Sequence, residues 1–169
     1  MRNIAVAIVA SVVLGLFAGA ASASPKMLFP SAATVRVYGA SLTAFSVVVD
    51  HEGRVTASGP SKDNSGAEEY PVKDGGLLSP AEVSKLRAAV RFTRPPDLIF
   101  RCCIPRHAFL FYDKSGRYLG YLKVCFECTC AEMEPFHPPS PTLNWISWNY
   151  ESLKRIVIAH GLGPTAQRR

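Results

Sequence analysis

An α+β fold, one antiparallel sheet built from two β-hairpins with two helices packed on one face, is what this chain predicts, in the order ββαββα. Three features carry the prediction. A turn motif occurs twice, a helix-start signature follows the first hairpin, and an amphipathic segment closed by glycine follows the second.

Taken in order, Thr34 to Tyr38 reads as a separate strand beside the first hairpin. Phe45 to Val49 then runs into Asp50-His51-Glu52-Gly53-Arg54, and Phe109 to Tyr112 runs into Asp113-Lys114-Ser115-Gly116-Arg117. In each, aspartate opens a tight turn, glycine supplies the positive φ of a G1 bulge, and the strand resumes at arginine. The hairpin strands fall near Thr43 to Asp50 and Arg54 to Ser58, then near Ala108 to Asp113 and Arg117 to Phe126. The likeness of the halves reflects either duplication or the commonness of such turns.

Ser79-Pro80-Ala81-Glu82 starts the first helix: the serine hydroxyl caps, proline fits the first helical position, and glutamate reaches back. Val83, Leu86 and Val90 share one of its faces. The second helix begins near Asn149 and carries Leu153, Ile156, Val157 and His160 inward. Gly161 ends it in the left-handed conformation, with Leu162 placed for a Schellman-type contact. Ser58 to Gly76 and the proline-rich Ala131 to Asn144 have the composition of loops.

Residues 1–23 have the form of a cleaved secretory leader: Arg2, an apolar run from Ile4 to about Ala18, then Ala21-Ser22-Ala23. That run is shorter than the roughly 20 residues that span a bilayer. Cleavage leaves residues 24–169 as a single domain with no transmembrane segment, in the periplasm or secreted, where cysteines oxidise. The whole chain holds 19 basic and 13 acidic residues, and the leader carries only Arg2 of them. The basic residues are scattered, with adjacent pairs only at Lys154-Arg155 and Arg168-Arg169. Nucleic-acid binding needs a clustered basic face and is not expected. The expected partner is a protein or a ligand of the cell envelope.

Chemistry concentrates in the second hairpin, between Cys102, Cys103 and His107 on one side and Cys125, Cys128 and Cys130 on the other. With Asp113 opposite Arg117, simple alternation sets Tyr112 opposite Tyr118, Leu110 opposite Gly120, Ala108 opposite Leu122 and Ile104 opposite Phe126, on the face turned to the core. The same register sets Cys102 opposite Cys128. On the other face, His107 lies across from Lys123 and Phe109 from Tyr121, while His107 and Cys103 are diagonal neighbours of Cys125. Pro105 interrupts the ladder there.

Three chemistries fit this spacing. A disulfide needs Cα atoms roughly 4.4 to 6.8 Å apart, which opposed antiparallel residues satisfy, so Cys102–Cys128 is one candidate and Cys103–Cys125 its competitor. Cys130 is then the odd thiol. A structural zinc site is the alternative: Cys103-x3-His107, seventeen intervening residues, then Cys125-x2-Cys128 make a closed Cys3His shell. The third is thiol redox chemistry at Cys125-Phe126-Glu127-Cys128, or His107 serving as base to a cysteine. No helix pattern follows that motif, and Glu127, Glu132 and Glu134 disfavour a thiolate nearby. No Gly-x-Ser-x-Gly, phosphate loop or paired-carboxylate motif occurs. No catalytic residue and no cofactor other than the alternative zinc is therefore expected, and a non-enzymatic binding domain is favoured.

His51 in its turn and His160 in the last helical turn read as structural, the latter favoured in its charged form by the helix dipole. His137 sits in the proline-rich segment, where a folded-back loop would bring it to the cluster. Trp145, Trp148 and Tyr150 read as pinning the second helix to the core.

The run Cys103-Ile104-Pro105-Arg106-His107, Phe111-Tyr112-Asp113 and Val124-Cys125-Phe126-Glu127-Cys128 resembles small, uncharacterised exported bacterial domains with a Cys-x-Pro-x-His, hairpin, Cys-Phe-x-Cys layout. The Leu-Ser-x-x-Glu helix start before it adds to the likeness. It covers the second half of the mature chain and implies no activity. The doubled Cys102 and the extra Cys130 depart from the layout.

Overall fold

The computed structural model describes residues 28–40, 46–61, 63, 65–97 and 103–163. The leader and Cys102 lie outside the described residues, which run β1 (Thr34–Ala40), β2 (Ser46–Val49), β3 (Val55–Pro60), β4 (Ala67–Tyr70), β5 (Val72–Leu77), α1 (Pro80–Ala89), β6 (Val90–Thr93), β7 (His107–Tyr112), β8 (Tyr118–Cys125), β9 (Cys130–Glu134), β10 (Trp145–Trp148) and α2 (Tyr150–Ala159). Among the described residues the fold is α+β, with antiparallel sheets and two helices. The ββαββα plan is too simple: among the described residues ten strands form three sheets, ordered β5-β1-β7-β8-β9, β2-β3-β4 and β10-β6.

The central sheet is covered on both sides. Phe109 and Phe111 join Val35, Val37, Leu122 and Val124 in the larger core, which Val83 and Leu86 of α1 and Leu153, Ile156 and Val157 of α2 complete. Ala108 and Leu110 point the other way and form a smaller core with Val47, fringed by Val49, Val55, Tyr38, Tyr112, Tyr118 and Tyr121. The helices therefore cover one face and the small β2-β3-β4 sheet the other. A strand buried on both faces is apolar throughout and shows no alternation. His-Ala-Phe-Leu-Phe-Tyr of β7 is such a strand, and every one of its residues but Tyr112 is buried.

Four expectations are corrected by this topology. The first hairpin does not share a sheet with the second. The strand at Thr34 pairs with β5 and β7 in the middle of the large sheet instead of with the first hairpin. The supposed loops contain β4, β5 and β9, edge or near-edge strands whose Ala-Glu-Glu-Tyr, Val-Lys-Asp-Gly-Gly-Leu and Cys-Ala-Glu-Met-Glu face solvent enough to be polar. Val90 is the first residue of β6 and not part of the helix.

Local signals hold where side chain and backbone meet directly. Asp50 N–H donates to the Arg54 carbonyl and Asp113 N–H to that of Arg117, at 3.1 and 3.0 Å, and Gly53 and Gly116 have φ of 81° and 80°. Each aspartate also accepts from the amide of its arginine and from the Nε. Ser79 and Glu82 form the capping box of α1. Asn149 caps α2, and Leu162 N–H reaches the Val157 carbonyl at 2.9 Å behind Gly161, completing the Schellman turn.

The register of the second hairpin follows the turn for one pair only. Tyr112 lies opposite Tyr118, but Phe111 lies opposite Gly120, leaving Leu119 as an extra residue. From there Leu110 faces Tyr121, Phe109 faces Leu122, Ala108 faces Lys123 and His107 faces Val124, each one residue away from simple alternation. A Cβ on Gly120, whose φ is 145°, would collide with the Glu134 carbonyl, so the bulge needs glycine there.

Candidate functional site

The cysteine-rich end of the central sheet is organised by a turn. β8 stops at Cys125, Phe126–Thr129 reverse the chain, and β9 starts at Cys130, directly opposite Cys125. The chain leading into β7 passes the end of β8 and meets this turn. Cys103 bonds there to Cys130, with Cα atoms 5.7 Å apart. The staple thus joins the central strand's approach to an edge strand, across the end of the strand between them.

This pairing corrects two expectations. Cys103 does not bond to Cys125, and Cys130 is not the odd thiol; Cys125 is a fully buried thiol. Simple alternation carries β8 straight on to Cys128 and leaves Cys125 nearest Cys103. Because the strand ends three residues sooner, Cys128 sits in the turn and Cys130 takes the place beside Cys103. The Cys102–Cys128 candidate falls on Cys102 and so lies outside the described residues.

His107 is the one buried charged or polar residue of the cluster, 3% exposed. It shares the helical face with Phe109 and Phe111 by the alternation of β7, and the bulge at Leu119 sets Val124 across from it, so that Cys125 and Cys130 lie on the opposite side. Its Nε2–H donates to the Gly163 carbonyl at 2.7 Å, which leaves Nδ1 as a buried acceptor without a partner. Burial pushes its pKa down to about 4; the Gly163 bond opposes the shift and the Arg106 charge adds to it. The ring is neutral at neutral pH.

An aromatic chain surrounds that imidazole. Phe126 meets His107 edge-on at 5.1 Å, and Trp148 and Tyr150 edge-on at 5.1 and 5.5 Å. Trp148 and Tyr150 stack on each other at 6.0 Å where β10 enters α2. Trp148 and Tyr150 therefore pin the helix entrance as expected, and they do so through the residue that opens the cysteine turn.

The four residues of the expected zinc shell are not assembled. The Cys103 sulfur is committed to Cys130, His107 faces away from Cys125, and its Nε2 proton is held by a carbonyl. Among the described residues no three His, Cys, Asp or Glu side chains are grouped to hold a metal ion. Nor does His107 reach Cys125 as a base. Cys125-Phe126-Glu127-Cys128 is a strand end and a turn, with no helix starting there to stabilise a thiolate.

The remaining candidates separate. His51 is exposed in its turn, 3.8 Å from Glu52. His137 lines an apolar cleft with Leu28, Phe29, Phe92 and Met133, away from the cysteines. His160 is half-buried and bridges elements: Nδ1 donates to the Gly75 carbonyl at 2.6 Å and Nε2 lies 3.2 Å from Glu82. Gly75 belongs to β5 and Glu82 to α1, so the ring ties the end of α2 to both. Sequence reasoning missed a cleft of about 570 Å³ between the β2–β3 turn and the end of β9, lined by Asp50, Tyr118, Tyr121 and Glu134. Its cue, the extra residue at Leu119, has no signature in the chain.

No protein-family model, no curated protein and no solved structure matches this chain.

Proposed function

We propose that this chain is an exported, non-enzymatic binding domain whose second hairpin is held by disulfide chemistry. The observation that carries the proposal is the Cys103–Cys130 bond. A bridge of that kind persists in oxidising compartments and is reduced in the cytosol. The leader-like residues 1–23 and the likeness to small exported bacterial domains point the same way, and no helix of the described residues is long and apolar enough to cross a membrane. The separation of His107 from Cys125 by the sheet supports recognition over thiol catalysis. The Cys102–Cys128 bridge belongs to the same proposal as a second staple, leaving Cys125 as the odd thiol.

The test is intact mass of the protein recovered from the cell envelope and the medium, with and without alkylation, alongside metal analysis. An amino terminus near Ser24 and a mass lower by two hydrogens, or by four with the second bridge, is the expected result. Five thiols that alkylate without reduction, or one zinc per chain that blocks alkylation until chelated, overturns it. A pulldown with the exported form then identifies the protein or envelope ligand.

A further inference from the structure

On the face of β8 and β9 that turns toward the smaller core, the same arrangement of side chains starts twice and is completed once. Lys123 lies opposite Glu132, and its Nζ is 2.7 Å from that carboxylate and 5.1 Å from the centroid of the Tyr121 ring. Here an ammonium, a carboxylate and a tyrosine face form a closed set. One step along the ladder, Tyr121 lies opposite Glu134 on the same side. Glu134 has no cation among the described residues.

Glu134 opens onto the missed cleft. Tyr118 forms another wall, packed so tightly over the β2–β3 turn that a Cβ on Gly53 would come within 2.7 Å of its ring. Val49, Leu119 and Pro135 supply apolar surface. The other carboxylate in the lining, Asp50, is already engaged by Arg54 and by the turn amides. His51 is the one basic side chain in the lining. The Tyr118 phenol is held above its ordinary pKa, first by burial, then by its neighbours Tyr121, Tyr112, Asp50 and Glu134.

A tyrosine-walled cleft with a carboxylate that no described cation neutralises attracts a cation that also has apolar surface, because the ring face and the acid act together on a weakly hydrated charge. We propose that this cleft binds a small organic cation, a primary or quaternary ammonium on a short apolar body. The inference rests on the reading of the chain as a binding domain and names its ligand class. The volume of about 570 Å³ suits a small molecule.

Choline and its neutral carbon analogue, in which a tert-butyl group replaces trimethylammonium, differ in charge at nearly equal shape. Both are titrated into the mature protein while amide and tyrosine-ring resonances are followed. Choline should shift Tyr118, Tyr121 and Glu134 saturably, and the neutral analogue should bind at least about tenfold more weakly. Glu134→Gln should weaken choline by about tenfold while the remaining spectrum superimposes on the wild type. Tyr121→Leu should weaken it similarly.

Equal binding of the two compounds, saturable shifts elsewhere, or no saturation at millimolar choline overturns the site. Phosphatidylcholine vesicles distinguish the source of the cation. Sedimentation of the wild type but not of Glu134→Gln assigns the group to a lipid headgroup, and binding of free choline alone assigns it to a soluble compound. A protein that is exported and stapled yet indifferent to choline overturns this inference and leaves the binding-domain proposal standing.

Discussion

His107 shows how one side chain's burial becomes a property of the folded state. Its pKa of about 4 in the native protein lies below the 6.5 of an exposed histidine. Between those values the unfolded chain binds a proton that the native chain refuses. Stability is therefore complete above about pH 6.5, falls as the pH drops toward 4, and levels off below that. A shift of this size corresponds to about 3 kcal/mol. Urea unfolding midpoints across the window should show this slope, and His107→Gln, which keeps a donor for Gly163, should flatten it. An unchanged slope would assign the acid sensitivity elsewhere. Asp113 titrates lower, pulled down to about 2 by Ser115 and the Arg117 amide, and so acts outside the window. The sequence marked His107 as chemically interesting, but a metal ligand and a buried neutral ring differ by the face of a strand. Which residues of β8 share the face of His107 was decided by one extra residue at Leu119.

At the scale of elements, the two Asp-to-Arg turns allow a controlled comparison. Gly53 and Gly116 share nearly the same φ, so alanine strains both by roughly 1 to 2 kcal/mol. Around Gly116 nothing lies within 4 Å of the added methyl, whereas at Gly53 it would sit 2.7 Å from Tyr118. Gly53→Ala should therefore cost clearly more than Gly116→Ala in denaturant unfolding, by about 1 kcal/mol or more of added clash. Equal losses would mean that Tyr118 swings clear. The turns, both helix starts and the Gly161 stop were legible because each is a contact between residues two to five apart. The strands β4, β5 and β9 were not, because polar edge strands are specified by the neighbour they pair with, as Glu132 is by Lys123. Nothing in Thr34 to Ala40 announces that it lies between β5 and β7; its place depends on partners about 40 and 75 residues further along the chain.

For the whole molecule, the staple acts on the sheet that both cores share. Cys103 and Cys130 are 27 residues apart, and closing a loop of that length removes roughly 3 to 4 kcal/mol of unfolded-chain entropy. The sequence placed the cysteines in this hairpin but left cross-link, zinc and thiol chemistry open, and the cross-link it offered Cys103 was Cys125; the turn at Phe126–Thr129 puts Cys130 in that place instead. The buried Cys125 thiol provides a direct readout of what that bond contributes. It is fully covered, so it is alkylated only when the sheet opens, and its labelling rate follows the population of open molecules. Replacing Cys103 and Cys130 with serine should raise that rate by roughly two to three orders of magnitude under native conditions, matching the lost stability. In the serine variant added reductant should have no further effect on Cys125 through this bond, while in the wild type it should approach the variant's rate. Rates that stay equal in the two proteins would show that the helical and β2-β3-β4 layers hold the sheet closed without the staple.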